Sequence, residues 1–365
     1  MNEYDYKNRE NASDNKNKGN IINIKNINPQ DIRFFKNIIS DAKIFSFIEN
    51  SFIVFESIHN LLCLIYTNQK NSIISYDLAK NIKINEIKNA HKKSISNYRY
   101  CLDKIKKREL IISISLEDNN IKLWDFNNLE CLFKFKEVNK EGIIYSACFL
   151  EEKNQIYIIT SNNNSLSYLC EPIKIFDING NKMLEINNSK DRVYYIDSFY
   201  DYKTSKNYII TGNFGYIKSY DYYNNNLYHK YESKSDFVDF QIRYHCHIIV
   251  VDNNKNGLNL IDASYEGNIR LWEFHSGKLL KIIKIKGGPI LNICLWNEDN
   301  IFVSNKHKAL ILIDLERENI IKSLEKKKIE ILSIKKIFIP QYGNCLIAQD
   351  SSNNINLWID VEKMK

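Results

Sequence analysis

The strongest constraint on the fold of this chain is a short motif that recurs seven times. In each copy an apolar, alternating run ends in an aromatic or aliphatic residue, and in six copies a carboxylate follows. The clearest copy runs from Asn120 through Trp124 to Asp125. The other copies end at Tyr76-Asp77, Phe176-Asp177, Tyr220-Asp221, Trp272-Glu273, Ile313-Asp314 and Trp358-Ile359. Neighbouring copies lie roughly 41–52 residues apart, close to the period of about 40–45 residues that is typical of a four-stranded propeller blade.

The stretch 95–136 shows one repeat unit in full. It contains four runs of strand-forming residues: Ile95–Cys101, Leu110–Leu116, Ile121–Asp125 and Cys131–Phe135. An alternating pattern that is broken by turns every 8–12 residues or so is typical of antiparallel sheets. We therefore expect an all-β fold, in which seven four-stranded antiparallel blades circle an axis and each blade covers the apolar face of the next.

The count of strands predicts how the ring closes. The seventh unit ends after its third strand, Ile355 to Trp358, close to the last residue, Lys365. We expect the missing fourth strand to come from Lys43–Glu49, because borrowing it would remove an open sheet edge. On this expectation, deletion of residues 1–40 leaves the fold intact, whereas deletion of residues 1–50 destabilises it sharply.

The chain divides into three predicted parts. Residues 1–42 are expected to be a disordered or extended lead-in, because residues 1–20 are polar and rich in Asn. Residues 21–42 carry apolar patches without clear periodicity, so a short helix and an extended segment both remain open. Residues 43–360 form the predicted propeller, and residues 361–365 form a C-terminal tail.

Two segments carry a resemblance to a known family. They are Asp118–Asp125 and Glu266–Glu273, and the second is followed by a hairpin at Phe274–Leu279. These residues resemble the WD40-repeat family of β-propellers, and the resemblance covers essentially Lys43 to Asp360. The recurrence of six or seven such segments in register makes it specific. It implies a non-catalytic interaction scaffold on which partner peptides dock at one rim around the channel.

The resemblance also implies a buried polar network that holds a blade together. In that family the network joins a His of the inter-blade loop, a Ser or Thr of the second strand, an Asp of the following turn and the Trp. One repeat retains most of this set: His91, Ser113 or Ser115, Asp118 and Trp124. Trp272 and Trp358 occupy the Trp position of their own repeats. The other units have lost members and are expected to substitute apolar packing.

Aromatic residues stand in turns where the family's pattern places Asp, Gly or Thr. The turn Asn213–Tyr216 contains Phe214 and Tyr216, and Tyr265 precedes the equivalent turn of the next repeat. Further residues are expected around the same rim: Lys70, Lys92, Arg192 and His307. Because exposed aromatics and Arg contribute much of the energy of interfaces, we expect partner proteins to bind there. The alternative is that Phe214 and Tyr216 fill the space left by the missing Trp network.

The charge balance leaves a second class of function open. The chain has 51 basic and 44 acidic residues, and its formal charge of +7 permits an acidic partner or a membrane surface without requiring one. Two basic clusters, Lys104–Arg108 and Lys326–Lys328, are short and are expected to face opposite sides of the disk. Nucleic-acid binding requires a basic stripe with interleaved aromatics, so it is disfavoured. A peripheral membrane or nucleic-acid adaptor that uses these loops is the alternative to the protein-binding scaffold.

The residue patterns argue against catalysis, a metal or another cofactor. The sequence lacks a phosphate-binding loop, a nucleophile elbow and a zinc-protease motif. The eight cysteines are scattered singly, and Cys148 and Cys294 occupy the same first-strand position, where a thiol serves as a small buried hydrophobe. Arg99 matches them in register and is expected to face the channel. His245 and His247 would share one face of a strand without a third metal ligand nearby.

The sequence shows no recognisable targeting or membrane segment. Its first residues lack a basic-then-apolar signal region, and no run of 18 apolar residues occurs. An intracellular setting, cytoplasmic rather than nuclear, is therefore the expectation. The identity of the partners, the oligomeric state and membership of a larger protein stay open.

Overall fold

The computed structural model describes residues 32–43, 51–135, 142–164, 172–187, 192–232, 245–253, 257–264, 266–285, 288–306, 310–324 and 329–360. These residues form seven four-stranded antiparallel sheets. The predicted all-β, seven-bladed propeller is thereby confirmed. Within the same residues, no helix has the length and apolarity that crossing a membrane requires.

Six blades are continuous in sequence, and their strands pair in chain order. Blade 1 contains β2 (Phe52–Glu56), β3 (Leu62–Thr67), β4 (Ile73–Asp77) and β5 (Ile82–Ile87). Blade 2 contains β6 (Asn97–Asp103), β7 (Arg108–Ser115), β8 (Asn120–Asp125) and β9 (Glu130–Phe135). Blade 3 contains β10 (Gly142–Glu152), β11 (Gln155–Asn164), β12 (Ile173–Asp177) and β13 (Lys182–Ile186).

The second half of the ring repeats this arrangement. Blade 4 contains β14 (Val193–Asp201), β15 (Lys206–Asn213), β16 (Ile217–Asp221) and β17 (Asn226–Tyr231). Blade 5 contains β18 (His245–Asn253), β19 (Gly257–Ser264), β20 (Asn268–Glu273) and β21 (Leu279–Lys284). Blade 6 contains β22 (Ile290–Leu295), β23 (Asn300–Asn305), β24 (Ile311–Asp314) and β25 (Asn319–Ser323). Blade 7 combines β26 (Ile331–Ile339), β27 (Gly343–Asp350) and β28 (Ile355–Asp360) with β1 (Ile32–Ile39).

The N-terminal strand β1 closes the ring by pairing with β28. The register is antiparallel and runs from Ile32 opposite Asp360 to Ile39 opposite Ile355. Closure by an N-terminal strand was therefore predicted correctly, but the predicted position was wrong: the strand that closes the ring is Ile32–Ile39 and not Lys43–Glu49. Two register shifts within β1 break its alternation, so the segment carries no period-2 signal in the sequence.

A recurring β-bulge identifies β1 as a true fourth strand. In every blade, the pairing of the third with the fourth strand shifts register at the aromatic or aliphatic residue of the motif. In blade 2 the shift falls between Leu123 and Trp124, and in blade 7 it falls where Phe34 meets Trp358 and Lys36 meets Leu357. β1 thus pairs with β28 in the same way as the fourth strand pairs with the third strand in each of the other six blades.

The core lies between the blades. Buried apolar side chains form one cluster at each of the seven blade–blade boundaries, including the boundary between blades 7 and 1. Through β1, Ile32 enters the cluster between blades 6 and 7, and Ile39 enters the cluster between blades 7 and 1. The first strands also contact one another around the whole ring, so they line a central channel.

The residues that follow β1 tie blade 7 to blade 1. The backbone N–H of Ala42 donates to the carbonyl of Asn353 in blade 7 at 3.1 Å. The N–H of Lys43 donates to Thr67 at the end of β3, and the N–H of Gln69 donates to Asp41. These bonds span the point where the two ends of the propeller meet, so they reinforce its closure.

The many asparagines have a local structural role. Asparagine tolerates the left-handed backbone conformation that tight turns require, because its short side chain bonds locally. Positive φ angles occur at Asn60, Asn71, Asn81, Asn89, Asn119, Asn154, Asn225 and Asn353. Most of these positions lie in the turns that connect strands, so part of the asparagine content builds the hairpins.

Candidate functional site

The two rims of the disk are built from different loops. The turns between second and third strands lie on the same side as the loops that link one blade to the next, and we call this side the inter-blade rim. The turns between first and second strands and between third and fourth strands lie on the opposite side, the hairpin rim. The five predicted partner-binding residues that the structure describes belong to the inter-blade rim: Lys70, Lys92, Arg192, Phe214 and Tyr216.

Phe214 is the most exposed aromatic residue described on the inter-blade rim. It lies in the turn between β15 and β16, which is closed by a hydrogen bond from the N–H of Asn213 to the carbonyl of Tyr216 at 3.0 Å. Gly215 has a φ of 81° and open space around it, which suits a turn at the surface. Half of Phe214 is exposed, whereas Tyr220 is the buried residue at the Trp position of this blade. Phe214 therefore does not fill the space of the missing Trp.

Tyr216 has a different environment from Phe214. It is half-buried, and the Lys230 ammonium lies 4.1 Å from the centroid of its ring. The Lys218 ammonium lies 5.7 Å from the same centroid. Contacts of this kind combine cation–π attraction with packing of the lysine stems. Tyr216 thus supports the surface of blade 4 while Phe214 projects from it.

Arg192 is held beside this turn. The Asn213 side-chain amide donates to the carbonyl of Arg192 at 3.0 Å and so ties the inter-blade loop to the turn. The Arg192 side chain is exposed. The structure therefore brings together three of the predicted residues, Phe214, Tyr216 and Arg192, which we call the blade 4 patch.

The other predicted rim residues do not join the blade 4 patch. Lys70 lies in the turn between β3 and β4 of blade 1, and Lys92 lies in the loop between blades 1 and 2. Both are exposed, but blade 3 separates them from blade 4. Tyr265 and His307 lie outside the described residues.

The predicted polar network of blade 2 is held by short hydrogen bonds. The Trp124 indole N–H donates to the Ser113 hydroxyl at 2.7 Å, and that hydroxyl lies 2.7 Å from Nε2 of His91. Because Ser113 has a single proton, it can donate to Nε2, which places the imidazole proton on Nδ1, facing Asp118 at 3.7 Å. Asp118 also accepts from the N–H of Lys93 at 3.0 Å. The network fixes the inter-blade loop to its blade.

His91 is neutral in this network. Burial, followed by the nearby positive charge of Lys122, lowers the pKa of His91 to about 4. The separation from Asp118 is beyond hydrogen-bond distance, and the carboxylate offsets these effects on the pKa only in part. The distance of 3.7 Å alone would suggest an ion pair, but burial of the imidazole favours the uncharged form.

We expect the contribution of His91 to the free energy of unfolding to decrease as the pH falls from about 6.5 towards 4. The unfolded chain binds a proton at His91 in this range and the folded chain does not, so unfolding is favoured by about 2 kcal/mol at pH 4.5. In His91→Gln this contribution is absent. Urea unfolding at pH 7 and pH 4.5 should therefore show a stability gap between wild type and variant that narrows in acid. A gap that widens in acid would mean a charged His91–Asp118 pair.

Blade 5 holds its Trp by a different network. The position that Ser113 occupies in blade 2 is Asp262 in blade 5, and the Trp272 indole N–H donates to its carboxylate at 2.6 Å. The Arg270 guanidinium is fully buried and lies 3.6 Å from Asp262 and 3.6 Å from Glu266. Sequence reasoning missed this set because the family pattern has a hydroxyl at the second-strand position.

Blade 7 retains its Trp without an acceptor on the second strand. The residue at the Ser113 position is Ala348, whose methyl side chain cannot accept a hydrogen bond. Within the described residues, the buried Trp358 indole N–H has no hydrogen-bond partner. The ring instead packs edge-on against Phe34 of β1, with 5.6 Å between the centroids. Trp358 therefore anchors the closing strand by apolar contact.

One contact in the channel joins two blades that are not neighbours. The guanidinium carbon of Arg99 in blade 2 lies 5.7 Å from the ring centroid of Tyr195 in blade 4. Because blade 3 lies between them, the Arg99 side chain must face the channel, as its register predicted. The Tyr195 hydroxyl donates to Asp197 at 2.9 Å. Tyr195 and Asp197 were not predicted, since nothing in the local sequence separates them from other first-strand residues.

The recurrent third-strand carboxylates cap turns. Asp77 accepts from the N–H of Ala79 at 2.9 Å, and Asp314 accepts from the N–H groups of Glu316 and Arg317.

The described residues also offer little for thiol or metal chemistry. Burial raises the pKa of Cys63 to about 12, which disfavours the reactive thiolate. In the described part of the chain, no three His, Cys, Asp or Glu residues come together in a metal-binding group. The side chains of His245 and His247 fall outside it.

The chain matches no protein-family model, and no curated protein is similar to it.

Proposed function

We propose that this protein is a non-catalytic interaction scaffold, a divergent propeller of the WD40 type that binds partner peptides at the blade 4 patch. The observation that carries the proposal is the half-exposed Phe214 ring, on a turn whose Asn213 side chain donates to the backbone carbonyl of the exposed residue Arg192. Aromatic residues and Arg supply most of the energy of protein interfaces. A rigid turn also reduces the entropy that binding must overcome.

The WD40 assignment and the setting are part of the same proposal. Blade 2 supports the assignment, because it joins a loop His, a second-strand Ser and a third-strand Trp. We propose an intracellular, cytoplasmic location, which the free thiols of the six described cysteines support, since such thiols persist in reducing compartments. We propose no enzymatic activity, because the third-strand carboxylates Asp77 and Asp314 cap turns and the Cys63 thiol is buried.

We expect Phe214→Ala combined with Arg192→Ala to lose at least one partner. Tagged full-length protein would be purified from its native cells and its partners quantified by mass spectrometry, with a fall of about tenfold for a partner that uses the patch. Ile82→Ala is the matched control, because Ile82 is 52% exposed on the outer strand of blade 1 and Phe214 is 50% exposed. Both variants should keep the wild-type thermal midpoint. Retention of every partner by the double variant would contradict the proposal.

The alternative adaptor function has less support from the described basic loop. At the hairpin between β6 and β7, Arg108 lies 3.0 Å from Asp103, and Lys104 lies 3.4 Å from Glu151. Ion pairs of this kind reduce the charge that is available to a phosphate-bearing partner. Lys326–Lys328 lies outside the described residues. Binding that weakens steeply between low and physiological salt would favour the adaptor over the scaffold.

A further inference from the structure

A groove on the outer wall of the ring separates the closing strand β1 from β25, the outer strand of blade 6. Its volume is about 420 Å³. Ile32 and Phe34 line it from β1, Ser323 lines it from β25, and Trp358 of β28 lines it as well. The side chain of Lys322 in β25 donates to the carbonyl of Ile32 at 3.4 Å. This hydrogen bond fixes the two sides of the groove relative to each other.

The groove combines exposed apolar surface with a buried hydrogen-bond donor. Phe34 is 46% exposed, and Ile320, on the same strand as Ser323, is 44% exposed. Trp358 is only 4% exposed, and within the described residues its indole N–H has no hydrogen-bond partner. Buried polar groups are nearly always paired. A peptide segment with apolar side chains would cover the exposed surface, and its backbone carbonyls would offer acceptors for the indole N–H.

The segment that precedes β1 has the composition that such a groove requires. Residues 21–27 contain four isoleucines, whereas residues 1–20 contain none. In an extended chain, Ile22 and Ile24 would lie on the same face. The segment joins β1 at Ile32, which itself lines the groove, so only a short linker separates the isoleucines from it. Residues 21–31 lie outside the described part of the chain.

We propose that residues 21–27 turn back and bind in this groove, so that they tie blade 7 to blade 6. The linker Asn28–Asp31 has the length of a hairpin loop, and its Asn28-Pro29 pair favours a turn. The isoleucines would pack against Phe34 and Ile320. Because a short linker raises the effective concentration of the segment to the order of millimolar, a small apolar contact is sufficient for binding. The groove is thus an intramolecular docking site, separate from the blade 4 patch.

Cross-linking in the full-length protein would test this placement. In Ile24→Cys with Ser323→Cys, a short thiol cross-linker should join the two residues within one monomer, and mass spectrometry would identify the link. The control combines Ile24→Cys with Lys134→Cys and should not react. Lys134 is exposed and occupies in blade 2 the position that Ser323 occupies in blade 6. Absence of the 24–323 link would overturn the proposal. A link formed only between molecules would overturn it in favour of a second copy's segment.

Charge substitutions test whether the isoleucines cause the binding. In a full-length chain that carries Ser323→Cys, Ile22→Asp with Ile24→Asp should make maleimide labelling of residue 323 about tenfold faster. Asn23→Asp with Asn26→Asp adds the same charge and should leave the labelling rate unchanged. Lys134→Cys should be labelled at one rate in all three backgrounds, as expected for an intact ring. Equal labelling rates of residue 323 in the three backgrounds would contradict binding of the segment through its isoleucines.

Discussion

Removal of residues 1–43 is expected to abolish the cooperative unfolding transition that a variant lacking only residues 1–31 retains. The larger deletion removes β1, and with it Ile32 and Ile39, which are buried in two different interface clusters. Burial of two isoleucine side chains contributes about 3–6 kcal/mol. The deletion also removes the backbone hydrogen bonds to β28 and the bonds from Ala42 and Lys43. This loss is comparable with the whole stability of a typical domain, about 5–15 kcal/mol.

The comparison of the two deletions isolates β1. Thermal unfolding followed by circular dichroism would measure both variants, and light scattering would detect the aggregation that an open β28 edge invites. Addition of a synthetic peptide that spans residues 32–43 should partly restore the transition of the larger deletion. Equal thermal midpoints for the two deletions would show that β1 does not close the ring.

Asp262→Ala is expected to destabilise the protein by about 3–5 kcal/mol, because it leaves a buried guanidinium with less compensation. Asp262 is fully buried, accepts from Trp272 and lies 3.6 Å from Arg270. Ser113→Ala removes neutral hydrogen bonds at the equivalent position of blade 2 and should cost only about 1–3 kcal/mol.

Two further variants test the cause of this effect. Asp262→Asn keeps a hydrogen-bond acceptor for Trp272 without the negative charge, so its stability should fall between wild type and Asp262→Ala. Asp262→Ala combined with Arg270→Met removes both charges and should recover part of the loss. Urea unfolding at pH 7 would measure all four variants. A cost of Asp262→Ala no greater than that of Ser113→Ala would contradict a charge-based network in blade 5.

The motif predicted the number of blades because every blade has the same register shift between its third and fourth strands, and the motif marks that shift. Residues such as Trp124, Trp272 and Ile313 sit at the same register shift between third and fourth strands, so the chain repeats the pattern seven times. The closing strand was misplaced for the opposite reason. Its shifts near Phe34 and Ile39 place apolar residues next to one another, and Lys43–Glu49 has the more regular alternation.

The site was predictable where the contacts are local in sequence. Phe214 and Tyr216 share one turn, and Arg192 is bonded to that turn, so their proximity follows from blade topology. Lys70 and Lys92 share only the rim, because each blade occupies its own sector of the ring. The contact between Tyr157 and Tyr222 was not predicted, because the two residues come from blades 3 and 4 and only the register of neighbouring blades brings them together.

Cysteine cross-linking across the closure tests the ring most directly. The side-chain amide of Asn37 in β1 donates to Asn354 in the turn before β28 at 2.9 Å, and both positions lie at the surface or close to it. In Asn37→Cys with Asn354→Cys, a short thiol cross-linker should join the two residues within one monomer. The control pair, Asn37→Cys with Lys203→Cys, spans opposite rims and should not react. Mass spectrometry that identifies the 37–354 cross-link would support closure by β1. Its absence, or a cross-link formed only between molecules, would contradict it.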